Sequence, residues 1–147
     1  MRDKPKKPGR DFDPQERKAP RGGAKVANYG EAQFRWRTNG IDCSGPFGWE
    51  NANRELLFSH IIPKLHEFET MLWREVEGDA HHSCEVDGMC KEAQRRLIEL
   101  GKNDCDMLFS LRLKGIERVW GVRDRQILNL LWWDPEHRVY PSRKKNT

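Results

Sequence analysis

The stretch of residues 118–140 carries side chains that can hold an anion and transfer protons. Arg118 and Arg123 can clamp a phosphate, because the fork of a guanidinium group matches the phosphate oxygens. His137 can act as a general base or acid, because an unperturbed imidazole has a pKa of about 6.5. Tyr140 can donate a proton or stack on a base. Together these residue types suit chemistry at a phosphate group.

Each of these side chains also has a structural interpretation. Residues 134–137 read Asp-Pro-Glu-His, which is typical of a turn, so His137 can simply be exposed there. Arg118 and Arg123 can be solvated strand positions paired with neighbouring carboxylates. Tyr140 can be a packing residue at the edge of the domain. The sequence leaves both interpretations open.

Composition limits the chain to one small domain with tails. The protein has 147 residues, of which 36% are hydrophobic and 34% charged. Residues 1–28 hold nine Lys or Arg and four Asp or Glu, so with a total charge of +4 the rest of the chain carries about −1. We therefore expect a disordered basic tail over residues 1–28, a domain over residues 29–141 and a basic tail over residues 142–147. Because the domain itself is nearly neutral, the basic isoelectric point of the whole chain is weak evidence for nucleic-acid binding.

The chain shows no membrane-spanning run and no secretory signal, which favours the cytoplasm and excludes a membrane partner. In that compartment the four cysteines are expected to be reduced thiols: Cys43, Cys84, Cys90 and Cys105. His81, His82, Cys84 and Cys90 resemble part of a zinc site, but adjacent histidines rarely reach one metal and Cys90 falls on an apolar helical face. We therefore predict no metal and no small-molecule cofactor.

Hydrophobic periodicity predicts a strand, two helices and three further strands. Residues 33–37 alternate as a strand, and residues 53–77 carry a helical stripe that bends at Pro63. Residues 78–83 are expected to form a loop. Asp87 can then cap a second helix that ends at Gly101.

Three strands are predicted near residues 109–113, 118–123 and 127–133, and the last of these is apolar enough to be central and covered on both faces. Short links between them indicate an antiparallel meander. The expected fold is therefore α+β, with the first strand at a sheet edge and the helices packed on one sheet face.

The element order and one motif resemble the RelE-type toxins of bacterial toxin-antitoxin systems, a group that includes the HigB, YoeB and ParE branches. The motif is Leu-x-Gly-x-x-Arg-x-Trp-x-x-Arg, formed here by Leu113, Gly115, Arg118, Trp120 and Arg123. The resemblance covers about residues 85–140. The chain is also similar to a family of small bacterial proteins that share the run Leu-Leu-Trp-Trp-Asp-Pro-Glu-His.

This resemblance implies a RelE-like fold and a metal-independent endoribonuclease that cleaves mRNA at the ribosome and is held inactive by an antitoxin protein. It implies catalytic roles for four residues: Arg118, Arg123, His137 and Tyr140. Contacts to RNA are then expected from four more: Arg112, Lys114, Arg125 and Trp133. Trp133 is instead a core residue if it follows the usual behaviour of tryptophan.

Two other functions stay open at this stage. The ParE branch acts on gyrase rather than on RNA. A non-catalytic αβ module that binds nucleic acid or protein through an exposed sheet would have the same composition.

Overall fold

The computed structural model describes residues 29–141. The strands are β1 Arg35–Arg37, β2 His81–Glu85, β3 Met107–Arg112, β4 Arg118–Asp124 and β5 Ile127–Asp134. The α-helices are α1 Arg54–Leu56, α2 Ile62–Glu69, α3 Trp73–Val76 and α4 Lys91–Glu99. Shorter turns of helix are the π-helical turn Leu57–Ile61 and the 3-10 turns Tyr29–Glu31, Trp49–Asn51 and Val86–Gly88.

The strands form one five-stranded mixed sheet in the order β1-β5-β4-β3-β2. β3, β4 and β5 pair antiparallel in sequence, and β1 joins the edge beside β5 in parallel. This confirms the α+β class, the meander and the edge position of the first strand.

One strand lies where a loop was predicted. β2 pairs antiparallel with β3, with His82 opposite Ser110 and Cys84 opposite Leu108. The loop predicted over residues 78–83 is present at residues 78–80 and wrong for residues 81–83, because the strand exposes most of its side chains and buries only Cys84. An edge strand of this kind carries little of the apolar alternation by which strands are recognised.

β5 lies between β1 and β4, one place from the centre of the sheet, which is occupied by β4. As predicted, β5 is covered on both faces, and its neighbouring side chains Trp132 and Trp133 are buried on opposite faces of the sheet. Trp133 packs with the helical segment that contains Leu65, whereas Trp132 packs with the segment that contains Leu97. The prediction that the helices cover one face was therefore wrong. A strand that is apolar on both faces needs a cover on each, so α4 lies on the side opposite α2.

The core under α2 and α3 is the larger of the two. Its aromatic centre stacks Phe34 on Trp73 at 4.8 Å between ring centroids, and Trp73 meets Phe109 edge-on at 5.3 Å. Other buried members include Ile61, Leu65, Phe68, Val76, Leu111, Val119, Leu128 and Leu130.

The core under α4 also buries Phe47, from the loop before α1, and Val139, from the C-terminal segment of residues 135–141. Asp42, only 4% exposed, connects that loop to the helix and the sheet. Its carboxylate accepts hydrogen bonds from Arg96 Nε and Nη2 at 3.0 and 2.9 Å and from Trp132 Nε1 at 2.8 Å. A buried charge paired in this way holds Phe47 over the sheet, where its ring contacts Trp132 at 5.3 Å.

The bend predicted at Pro63 takes the form of a π-helical turn. The N–H of Ile62 bonds to the carbonyl of Leu57, five residues back, and Pro63 then stands in the first turn of α2. Proline cannot donate the backbone hydrogen bond of a regular α-helix, and the π-helical turn directly before it accommodates this break in the α-helical pattern.

The second predicted helix is confirmed, with a later start. Cys90, not Asp87, precedes its first residue, Lys91. Gly101 has φ of +76° and its N–H bonds to the carbonyl of Ile98 at 2.9 Å, as expected of a left-handed residue that ends a helix.

The tails predicted over residues 1–28 and 142–147 lie outside the described residues. Within residues 29–141, no helix is long and apolar enough to cross a membrane.

Candidate functional site

A cavity of about 600 Å³ lies between the α4 side of the sheet and the C-terminal segment. Four of the residues singled out in the sequence line it together: Arg112, Arg118, His137 and Tyr140. Four more that the sequence did not single out for this site also line it: His82, Cys84, Ser110 and Trp120. The cavity therefore joins cations, imidazoles, a thiol, a hydroxyl and a phenol.

Strand register brings the sheet residues of the cavity together. Arg112 on β3 is the cross-strand partner of Arg118 on β4, and Ser110 is the partner of both Trp120 and His82. Side chains two residues apart on a strand share a face, so all five project to the same side.

Arg112 and Arg118 are held by a backbone carbonyl group and not by an acidic side chain of residues 29–141. Arg112 Nε donates to the carbonyl oxygen of Gly115 at 2.8 Å, and Arg118 Nη1 donates to the same oxygen at 3.0 Å. Among residues 29–141, no carboxylate oxygen lies within 4.0 Å of a guanidinium nitrogen of Arg112 or Arg118. Burial and the neighbouring charge of Arg112 lower the pKa of Arg118, against the opposing effect of Asp134. Two adjacent cations with no carboxylate of residues 29–141 within 4.0 Å can bind an anion between them.

A buried carboxylate holds the segment that carries His137 and Tyr140. Asp134 is fully buried and accepts from the backbone N–H of Arg138 at 2.8 Å and of Val139 at 3.0 Å. It also accepts a hydrogen bond from the indole Nε1 of Trp120, at 3.1 Å. The predicted turn at residues 134–137 therefore exists, and Asp134 organises it from the inside.

His137 stands in this turn with φ of +56°, a left-handed conformation that few side chains adopt. Its ring is half-buried in the cavity. Burial and the charge of Arg118 lower its pKa below the ordinary value of 6.5, against the opposing effect of Asp134. The imidazole is therefore neutral at pH 7 and able to accept a proton.

Tyr140 lies beside Gly88, the last residue of a 3-10 turn. A Cβ at position 88 would stand 2.6 Å from Cε1 of the tyrosine ring, so only glycine leaves room for the ring. The ring also contacts Trp120 at 6.5 Å between centroids. Tyr140 is thus positioned by two elements distant from it in sequence.

His82 and Cys84 are members of the site that sequence reasoning did not assign to it. His82 Nδ1 lies 3.6 Å from Cys84 Sγ. Burial raises the pKa of the Cys84 thiol, against the opposing effect of Arg118, so it is a protonated thiol at neutral pH. The available signal was the spacing of two between His82 and Cys84, which places both on one face once the segment is recognised as a strand.

Arg123 is not part of the cavity. It lies on the α2 side of the sheet, with its guanidinium carbon 3.7 Å from the centroid of Trp73 and Nη1 3.2 Å from a carboxylate oxygen of Glu77. Arg123 stands five positions after Arg118 on β4, and an odd offset along a strand places two side chains on opposite faces. The expected catalytic role of Arg123 therefore has no geometric support.

Three residues that were expected to contact RNA do not line the cavity: Trp133, Arg125 and Lys114. Trp133 is 1% exposed and packs in the core against Trp49, so its ring has no free face for a base. Arg125 is in the β4–β5 turn, at the far end of β4 from Arg118, with φ of +62°. Lys114 is exposed in the β3–β4 turn, at the same end as Arg112 and Arg118.

Within the described residues, no group of three His, Cys, Asp or Glu side chains is placed to hold a metal ion. Comparisons with protein-family models, with curated proteins and with solved structures find no match for the chain.

Proposed function

We propose that the cavity binds and cleaves RNA without a metal ion, as an endoribonuclease of the RelE-like type. The observation that carries this proposal is the presence of Arg112, Arg118, His137 and Tyr140 in one cavity. These are the groups that such a reaction needs: cations for the phosphate, a base and an acid.

In the proposed reaction the neutral imidazole of His137 takes the proton of a 2′-hydroxyl. The 2′-oxygen attacks the adjacent phosphorus and the bond from phosphorus to the 5′-oxygen breaks. Tyr140 donates its phenolic proton to that leaving oxygen. The products are a 2′,3′-cyclic phosphate and a 5′-hydroxyl.

Arg112 and Arg118 stabilise the negative charge that grows on the phosphate oxygens. Because their guanidinium groups are already fixed on the Gly115 carbonyl, they need little reorganisation when that charge appears. Because no carboxylate of the described residues pairs with them, several of their N–H groups are available for an anionic ligand.

The test is cleavage of an end-labelled single-stranded RNA in excess EDTA. We expect Arg118→Gln, His137→Gln and Tyr140→Phe each to reduce the rate by a factor of about 10² to 10⁴. Arg125→Gln and His66→Gln are matched controls, because they remove the same residue types at exposed positions outside the cavity. Cleavage that is unaffected by all three site substitutions would contradict the proposed site.

We further propose, on the resemblance to RelE-type toxins, that mRNA at the ribosome is the substrate and that an antitoxin protein covers the cavity. Induced expression should then arrest growth, and His137→Gln should relieve the arrest without loss of folded protein. Harmless expression of the unchanged protein would speak against a toxin.

A non-catalytic nucleic-acid-binding module is the second candidate. It is favoured by Arg112 and Arg118, which have no carboxylate partner among residues 29–141 and attract phosphate whether or not a bond breaks. It would have to use the cavity, because packed cores cover both faces of the sheet. Salt-dependent RNA binding with no cleavage products, on ribosomes or off them, would select this candidate.

A further inference from the structure

A second cavity, of about 400 Å³, adjoins the first on the other side of β2. The two share Ala80, which precedes β2, and Arg112, which ends β3. His81 lines the second cavity and His82 the first, as expected for consecutive residues whose side chains point to opposite faces of a strand. A flexible ligand can therefore pass from one cavity to the other beside Arg112.

His81 gives the second cavity an uncharged hydrogen-bond donor. Its Nδ1 accepts from the backbone N–H of Arg112 at 3.0 Å. Burial and the charges of Arg112 and Arg118 lower its pKa to about 4. The neutral ring must then carry its proton on Nε2. The ring is held edge-on to Phe68, at 5.0 Å between centroids.

The other walls combine apolar surface with charged side chains. Phe68, Met71 and Leu113 supply the apolar part, and Lys64 and Glu67 supply one charge of each sign. The Lys64 ammonium is 3.5 Å from Glu67, a pair whose side chains are 36% and 67% exposed and which is therefore weakly held. Flat apolar walls with donors at the rim suit a heteroaromatic ring that carries acceptor atoms.

We propose that the second cavity holds the base of the nucleotide next to the phosphate bound by Arg112 and Arg118, so that the ligand is single-stranded RNA at least two nucleotides long. This inference rests on the proposed function for the identity of the phosphate. A base that enters the cavity must leave its stack, and for this reason a single strand is selected over a duplex.

The test is calorimetric binding of a single-stranded 2′-O-methyl RNA tetranucleotide, which cannot be cleaved, beside inorganic phosphate. We expect His81→Phe and Lys64→Ala each to weaken tetranucleotide binding about tenfold and to leave phosphate binding unchanged. His66→Ala, on the exposed side of α2, is the control and should change neither. A duplex of the same sequence should bind more weakly than the single strand.

Equal loss of phosphate and tetranucleotide binding in both variants, or loss of neither, would overturn the inference. Lys64→Ala keeps the test decisive if His81→Phe fails to fold, because Lys64 is a partly exposed side chain. Failure of the proposed function would give a different result. Natural RNA would stay uncleaved, while binding of the tetranucleotide would still depend on Lys64 and His81. If natural RNA is cleaved but both variants bind the tetranucleotide as tightly as the unchanged protein, only the base-binding role of the second cavity is rejected.

Discussion

Arg112 and Arg118 face each other across β3 and β4 and donate to one carbonyl oxygen, that of Gly115, at 2.8 and 3.0 Å. Like charges directly opposite on neighbouring strands destabilise a sheet. Here the shared carbonyl fixes both groups beside the cavity, and no carboxylate of residues 29–141 lies within 4.0 Å of them to offset their repulsion by a direct ion pair. An anion that binds between them relieves this repulsion, so binding and stability should be linked.

Phosphate should therefore raise the thermal unfolding midpoint of the protein. A ligand present at about 100 times its dissociation constant adds about 2.7 kcal/mol to the free energy of unfolding. Arg118→Gln should abolish the rise, whereas Arg125→Gln, in an exposed turn, should retain it. Differential scanning fluorimetry across a phosphate series at constant ionic strength measures both. A rise of equal size in the two variants would show that phosphate acts elsewhere.

Arg123 should matter for stability and not for RNA cleavage. Its guanidinium stacks on Trp73 and pairs with Glu77, so Arg123→Ala should cost about 1 kcal/mol in the free energy of unfolding. The cleavage rate per folded molecule should stay at the level of the unchanged protein. Urea unfolding and the end-labelled RNA assay give the two values. A large loss of cleavage with normal stability would return Arg123 to the site.

The contrast between Arg118 and Arg123 shows how far the sequence alone could lead. Periodicity predicted the strand that contains them correctly, and His137 and Tyr140 were chosen as candidates by residue type. Strand alternation was enough to place the two arginines on opposite faces, but the motif drew attention to both. Residue type identifies candidate site residues, and the strand face on which each one lies decides which of them can line the cavity.

Other parts of the site were beyond local pattern. β2 has one buried side chain, Cys84, so its pairing with β3 leaves almost no alternation to read. The cover of the second sheet face depends on Asp42, whose partners Arg96 and Trp132 are 54 and 90 residues away in sequence. Contacts of that range follow from tertiary packing, which no window of sequence contains.

Gly88→Ala should displace Tyr140. The added Cβ would stand 2.6 Å from Cε1 and 3.0 Å from the hydroxyl oxygen of Tyr140, so the ring has to move. Because position 88 is exposed, we expect little change in stability and a loss of cleavage similar to that of Tyr140→Phe. Gly78→Ala is the control, since nothing lies within 4 Å of a Cβ there. Unchanged cleavage in Gly88→Ala would argue against Tyr140 as the acid.

His81 should make stability fall as the pH is lowered. Its pKa is about 4 in the folded protein against 6.5 for the free side chain, so the unfolded chain binds a proton first. The contribution is fully present above pH 6.5, declines as the pH falls toward about 4 and is constant below that value.

The difference between the unchanged protein and His81→Gln isolates this effect, because the carboxylates titrate in both. Urea unfolding at intervals from pH 7.5 to about 4 should show a steeper decline for the unchanged protein. His66→Gln, whose side chain is 73% exposed in the folded protein, should follow the unchanged protein. Parallel curves for all three proteins would mean that His81 titrates normally.

Asp134→Asn should lower both stability and cleavage, through the position of the C-terminal segment. The carboxylate accepts from the Trp120 indole and from two backbone N–H groups, and an amide has only one oxygen to offer them. At least one buried donor is then left without a partner, which costs about 1–3 kcal/mol in the free energy of unfolding. The turn that holds His137 should shift with it.

Glu136→Gln, an exposed change two residues away, should leave urea unfolding and RNA cleavage unaltered. If Asp134→Asn lost stability but kept full cleavage after correction for the folded fraction, the turn would not position the base, and His137 would lose its assigned role.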